Sequence, residues 1–369
     1  MADFQLNSIC REDEYTRLLQ SKSLWPVDPM VEQNWSGCGQ HAIFSKDEQP
    51  LIENILQVKE NLGSTRTAIV QSVNCRRIVL ARKTITCGKQ TMTKLEAIAE
   101  VSHLTRLNHA HIVRIIGTYV KGRELSILLY PVAQYNLETF IEHLQNVDSN
   151  VDSGRNTQPA MHLASRSFFS CLSSGTKYIH SRFTKHMDIK PQNILIVESQ
   201  QRKYHPLIAD FGIARSYESQ DDIETDGRTS FTKRYAAPEV VKQDPRGLPA
   251  DIFSLGCVFL EIYISIQCTA SRFNDKIHAV LNENFRGDTS YQANARELQS
   301  LLNKRFDLDD TFMLRKNVMP LISRMLSLRP HERPTADELV CFFGEIDCCI
   351  SGQAPLQATA LEYMLVERI

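Results

Sequence analysis

A chain of 369 residues, 42% hydrophobic and 23% charged, has the composition of a folded globular protein and excludes a fibrous or disordered class. Its formal net charge of −1 leaves no electrostatic footprint for nucleic acid or an anionic membrane, so neither is expected as a partner. Ten cysteines occur without a C-x-x-C pair, and they read as reduced thiols. Only Cys348-Cys349 lie together, a spacing that suits neither zinc nor an ordinary disulfide.

The start, Met1-Ala2-Asp3-Phe4, carries no signal peptide and no myristoylation glycine, which sets the expectation of a cytoplasmic or nuclear protein. Residues 1–51 read as a partly irregular N-terminal extension, with a short helix over Glu12 to Leu19 and irregular chain from Trp25 to Gly39. Ile55 to Leu62 and Ala68 to Val73 are strand-like and flank a turn at Gly63-Ser64-Thr65-Arg66. Ile78 to Lys83 is a mostly apolar strand that ends in a lysine. Thr93-x-x-Glu96 is a capping box, followed by the apolar stripe Ala97, Val101 and Leu104 with Glu100 beside it. Leu125 to Tyr130 predicts another strand and Leu137 to Leu144 a helix. Gln145 to Pro159 is polar and reads as a loose surface insertion. Phe168, Leu172 and Ile179 mark the next helix. Ile252 to Ile266, interrupted by Glu261, is too short to span a bilayer and predicts a buried core helix. Residues 269–317 are polar and poorly patterned, and the tail beyond Asp347 offers no reading.

The chemistry gathers between His186 and Gly212. There Asp188 can accept a proton from an attacking hydroxyl, and Lys190 can offset charge on a transferring phosphoryl group. Asn193 and Asp210 are hard oxygen donors of the kind magnesium takes alongside nucleotide phosphates. The run His186-Met187-Asp188-Ile189-Lys190-Pro191-Gln192-Asn193, then Asp210-Phe211-Gly212, then Ala237-Pro238-Glu239, resembles the catalytic loop, metal-binding turn and activation-segment end of protein kinases. Lys190, Thr232 and the K-P-x-N pattern resemble the serine/threonine branch of that family.

The resemblance implies an α+β, two-lobed protein kinase fold covering residues 52–347. A small, mainly-β N-lobe (52–130) with one key helix would join through a hinge (131–133) to a larger, mainly-α C-lobe (134–347), leaving a tail at 348–369. It implies ATP and Mg²⁺ as cofactors and a protein substrate with a Ser or Thr acceptor. The implied catalytic set is Asp188 as base, Lys190, Lys83 and its partner Glu100, with Glu96 as a competing partner better explained by the cap. Leu62, Gly63, Val70, Ala81, Leu129 as gatekeeper, Val132 and Leu195 would meet the nucleotide, and Asn193 and Asp210 would hold the metal. Leu104, Ile115, His186 and Phe211 would form a regulatory stack, Asp251 would hold the catalytic loop, and Arg333 would pair with Glu239.

The sequence departs from the family pattern in two places. Thr65 and Ala68 stand where the second and third glycines of the nucleotide loop belong, and a Cβ there obstructs backbone that glycine would leave free. Met187 replaces an arginine that binds phosphate on the activation segment, so Thr225, Thr229 and Ser230 would lack that anchor. The acidic run Glu218, Asp221, Asp222, Glu224 and Asp226 reads as a solvated loop. Three functions are consistent with these residues: an active serine/threonine kinase, a pseudokinase scaffold, and a kinase-like small-molecule phosphotransferase. The Ala237-Pro238-Glu239 element counts against the last.

Overall fold

The computed structural model describes residues 14–65, 67–88, 92–146, 158–198, 204–212, 214–216, 232–266, 272–282, 287–303 and 318–350. The chain divides into two compact units, Met1–Arg106 with Arg114–Val132, and Leu107–Val113 with Ala133–Ile369.

The small unit contains α1 (Glu14–Ser21), β1 (His41–Phe44), α2 (Gln49–Ile55), β2 (Leu56–Ser64), β3 (Ala68–Cys75), β4 (Ile78–Thr86), α3 (Lys94–Thr105), β5 (Arg114–Lys121) and β6 (Glu124–Tyr130). Its strands form one sheet in the order β1-β5-β6-β4-β3-β2. Every pairing is antiparallel except that of β1 with β5. Short turns join β2 to β3, β3 to β4 and β5 to β6, which makes these antiparallel pairs the cheap ones to close.

The sequence reading leaves residues 1–51 as an extension; the structure builds part of that segment into the sheet. Trp35 is buried and donates from Nε1 to the Gln40 carbonyl at 2.9 Å. The Tyr15 hydroxyl bonds Thr118 Oγ1, and His41 Nδ1 lies 2.7 Å from the same oxygen. A Cβ at Gly117 would stand 2.3 Å from the Gln40 carbonyl and 2.4 Å from Trp35 Nε1. Only glycine lets the two backbones approach this closely. Burial lowers the His41 pKa to about 4, so the ring is neutral at pH 7.

The capping box forms as the sequence predicts, with Glu96 N–H donating to Thr93 Oγ1 (3.2 Å) and Thr93 N–H to Glu96 Oε2 (2.7 Å). It starts α3 in the register that buries Ala97, Val101 and Leu104, and Glu100 with them.

The large unit runs through β7 (Tyr135–Asn136), α4 (Leu137–Asn146), α5 (Gln158–Ser181), β8 (Thr184–Lys185), β9 (Ile194–Val197), β10 (His205–Ile208), β11 (Arg215–Ser216) and α6 (Pro238–Lys242). It continues with α7 (Pro249–Ile266), α8 (Arg272–Asn282), α9 (Ala295–Leu302), α10 (Val318–Met325), α11 (Ala336–Phe343) and α12 (Asp347–Ile350). Phe168, Leu172 and Ile179 are fully buried on α5, and α7 is buried along nearly its whole length. Phe169 of α5, Phe259 of α7 and Phe343 of α11 meet with ring centroids 4.9–5.5 Å apart, joining three helices at one aromatic cluster.

The stretch 269–317 is better patterned than its polarity suggests. Phe273, Ile277 and Leu281 bury one face of α8, and Ala295, Leu298 and Leu302 one face of α9. Most of the expected insertion, 147–157, lies outside the described residues. A mainly-β small unit and a mainly-α large one are the α+β division that the resemblance implies.

Candidate active site

In the small unit, strand register decides which side chains share a face. Gly63 pairs with Val70 and Val70 with Lys83, while Ala81 pairs with Leu129. Residues opposite one another, or two apart on one strand, point to the same side of a sheet. Val70, Ala81, Lys83 and Leu129 therefore line one face in two adjacent rows. All four are half-buried, a mostly apolar surface with a single cation. Lys83 Nζ reaches both Glu100 oxygens, at 2.9 and 3.1 Å. Glu100 is only 1% exposed, so the pair is held by α3 and β4 together. The competing Glu96 is spent on its cap. Leu62 and Gly63 lie on exposed chain at the end of β2, and a Cβ on Gly63 would meet nothing within 4 Å. Val132, at the end of this unit, is half-buried.

The adjoining turn carries two hydrogen bonds of its own. Thr65 N–H donates to the Ala68 carbonyl at 2.7 Å, and Ala68 N–H donates to Thr65 Oγ1 at 3.1 Å. These are the two positions where the family pattern has glycine.

In the large unit the loop between β8 and β9 carries Asp188, Lys190 and Asn193. Thr232 Oγ1 donates to Asp188 Oδ1 at 2.9 Å. Lys190 Nζ lies 2.5 Å from Asp188 Oδ2 and 2.7 Å from Thr232 Oγ1. Asn193 Nδ2 donates to the Asp188 carbonyl (2.9 Å) and to Oδ2 (3.0 Å). This commits the Asn193 amide nitrogen and leaves its carbonyl oxygen as the donor for a cation. Ala209 N–H donates to the Asn193 backbone carbonyl at 2.9 Å, which brings the exposed Asp210 beside Asn193. Leu195, half-buried on β9, follows two residues later.

The loop hangs on one buried carboxylate. Asp251, at the start of α7, accepts from the His186 and Met187 N–H groups, both at 2.8 Å, and lies 3.1 Å from His180 Nε2. Burial acts to raise the Asp251 pKa, but the His180 hydrogen bond and charge, His186 and the Met187 N–H outweigh it and hold it below the ordinary value. Sequence reading placed Asp251 here and missed His180, whose only signal is its spacing one residue past Ile179 on α5. The His186 ring meets Phe211 edge-on, 4.6 Å between centroids, while Leu104 and Ile115 are buried within the small unit.

Met187 (φ 68°) and Asp210 (φ 64°) both adopt left-handed backbone, a conformation that costs about 1–3 kcal/mol unless surroundings impose it. At Met187 the bond to Asp251 supplies that constraint, and its side chain is buried. Thr225, Thr229, Ser230 and the acidic run lie outside the described residues. Arg333 makes the expected pair with Glu239, bidentate at 2.6 and 2.9 Å, and also donates to the Ser327 and Pro249 carbonyls. The bidentate fork fixes the end of the activation segment to the segment before α11.

The family described as protein kinase domain matches residues 56–342. Human death-associated protein kinase 2 is 24% identical over 303 residues, covering 79% of this chain and 71% of the relative. Cyclin-dependent kinase E-1 of Arabidopsis thaliana is 29% identical over 168 residues, 45% of this chain. That alignment spans 34% of the relative's length. The serine/threonine-protein kinase/endoribonuclease ire-1 of Caenorhabditis elegans is 30% identical over 190 residues, half of this chain and 18% of the relative. With its fold, its loop bonded to Asp251 and a family match over most of its length, the chain belongs to the protein kinase family, with serine/threonine kinases among its relatives.

Proposed function

We propose that this protein is an active serine/threonine kinase, transferring the γ-phosphoryl group of ATP to a protein hydroxyl with Mg²⁺. The observation that carries the reading is the Asp188 carboxylate, oriented by Thr232, Lys190 and Asn193 at 2.5–3.0 Å. Phosphoryl transfer asks little covalent chemistry of a protein, so fixed charge and position are the main demands. Asp188 accepts the proton of the substrate hydroxyl. Lys190 keeps a positive charge beside that carboxylate, and Lys83, braced by Glu100, contacts the nucleotide phosphates.

The donor set fits magnesium: Asp210 is an exposed carboxylate, and the Asn193 carbonyl oxygen is free of the amide's bonds to Asp188. Both are hard oxygens of the type this ion prefers. When bound, Mg²⁺ offsets the charge of the nucleotide phosphates.

A second reading, a pseudokinase that binds without turnover, is favoured by one observation. The Thr65 and Ala68 N–H groups, which a glycine-rich loop would offer to phosphate, bond within their own turn. ADP release with a generic protein substrate separates the two readings. Turnover in wild type that falls roughly 10²–10⁴-fold in Asp188→Asn supports the kinase. Nucleotide binding without turnover in wild type would establish the pseudokinase, and equal turnover in both proteins would remove Asp188 from the chemistry.

A further inference from the structure

We propose that His111, Cys171, Cys348 and Cys349 form a structural zinc site in the large unit. Each offers one ligand atom, all four atoms lie within 4.8 Å of one another, and all four residues are buried. The sequence argued against zinc because Cys348 and Cys349 are neighbours in sequence. The fold supplies the others, from 177 and 237 residues away.

Two of the separations equal tetrahedral edges, a third is shorter, and all lie within 4.8 Å, close enough for small side-chain shifts to place one ion among the four atoms. Zinc–sulfur bonds of about 2.3 Å and a zinc–nitrogen bond of about 2.0–2.1 Å, at tetrahedral angles, set S···S edges near 3.8 Å and S···N edges near 3.6 Å. Cys171 Sγ and Cys348 Sγ are 3.8 Å apart. His111 Nε2 lies 3.6 Å from Cys348 Sγ and 3.2 Å from Cys349 Sγ. A disulfide would hold its sulfurs at about 2.05 Å, so the Cys171–Cys348 approach is not one.

The histidine is prepared for a metal. His111 Nδ1 is 3.0 Å from the Pro206 carbonyl, which as an acceptor requires the proton on Nδ1. That tautomer turns the Nε2 lone pair toward the three cysteines, the arrangement that orients metal-bound imidazoles generally. The His205 ring stacks on His111 at 4.5 Å, and Ile208 N–H bonds the His111 carbonyl at 2.8 Å. Three thiolates and one imidazole select zinc over the magnesium of the catalytic loop.

The site has a structural reason to exist. Cys171 sits in the 24-residue helix α5, whereas Cys348 and Cys349 sit in the four-residue α12, beyond the family-matched region. A helix that short has no stability of its own in water. A shared ion would tie it to α5 and to His111.

Elemental analysis of the purified full chain tests this directly. About one zinc per chain is expected, lost in a Cys348→Ser, Cys349→Ser double variant and kept in a Cys38→Ser, Cys341→Ser control whose cysteines are exposed. Cobalt(II) added to chelator-stripped protein should give a thiolate charge-transfer band and the visible bands of a tetrahedral ion. Because the double variant could misfold, its zinc content is read only where circular dichroism shows it folded, and a single Cys171→Ser variant, expected to lose the zinc as well, supplies a second test of the same site. Wild-type protein that takes up neither metal with its thiols reduced overturns the proposal. So does a native disulfide from Cys171 to Cys348 or Cys349, or zinc retained in a folded double variant.

Discussion

The catalytic loop of the large unit and the β2–β3 turn of the small unit are constructed in opposite ways. Asp188 takes three side-chain donors, and its loop is suspended from a carboxylate that is 1% exposed. By contrast, eight of the nine residues of β2 are exposed, and the Thr65 and Ala68 N–H groups of the turn after it bond within that turn. The loop is thus fixed before any ligand arrives, while the turn gains most from what binds it. Damage should therefore be severe where bonds converge and slight where the chain already faces water.

Beyond Asp188 itself, the largest effect is expected at Lys83, the cation on the small unit's lined face. Lys83→Met should lower turnover by up to about 10³-fold, roughly 4 kcal/mol of transition-state stabilisation, with little change in the far-UV circular dichroism. A loss below tenfold would mean that Glu100 braces a lysine with no part in the chemistry.

Asp251→Asn comes next. The amide retains one oxygen to accept the His186 or Met187 N–H but turns an NH₂ toward the other. A cost of about 2–3 kcal/mol is expected, read as a lower denaturant midpoint together with reduced activity. Unchanged stability would show that the loop is held by other contacts.

The third concerns pH and the small unit alone. His41 has a folded pKa of about 4 against an ordinary 6.5, so between these values the unfolded chain binds a proton that the folded one does not. Stability is full above pH 6.5 and falls as pH drops toward 4; the loss reaches about 2 kcal/mol at pH 5. Comparing wild type with His41→Gln in thermal melts at pH 7 and pH 5 isolates this contribution. A gap between the two proteins that does not change with pH would exclude it.

The smallest effect is at the turn. Thr65→Gly with Ala68→Gly removes the Oγ1 acceptor of the Ala68 N–H and two Cβ atoms, and should lower the KM for ATP two- to fivefold, less than about 1 kcal/mol. An unchanged or higher KM would mean that phosphate approach is not limiting.

Much of this was legible in the sequence because local chemistry and family pattern coincide. The Thr93 box, the apolar face of α3 and the order of residues from His186 to Glu239 each follow from short spacing. What stayed hidden depends on long-range partners. β1 is four residues, too few to show alternation, and its register depends on Gly117 some seventy residues later. α8 was masked by polar residues between Phe273, Ile277 and Leu281, although that four-residue spacing is a helix signal. Cys348 and Cys349 meant little without His111 and Cys171, which no local pattern connects to them.

The parallel pairing of β1 with β5 also bears on how the protein can be divided. A fragment begun at residue 56, where the family match starts, would lack Tyr15, Trp35 and β1. β5, buried at six of its eight positions, would become the sheet's edge, with its outward N–H and C=O groups unpaired and an apolar strip in water. Such edges template strand addition between molecules. Self-association and poor solubility of that fragment would then report a missing neighbour of β5 and carry no information about the catalytic loop.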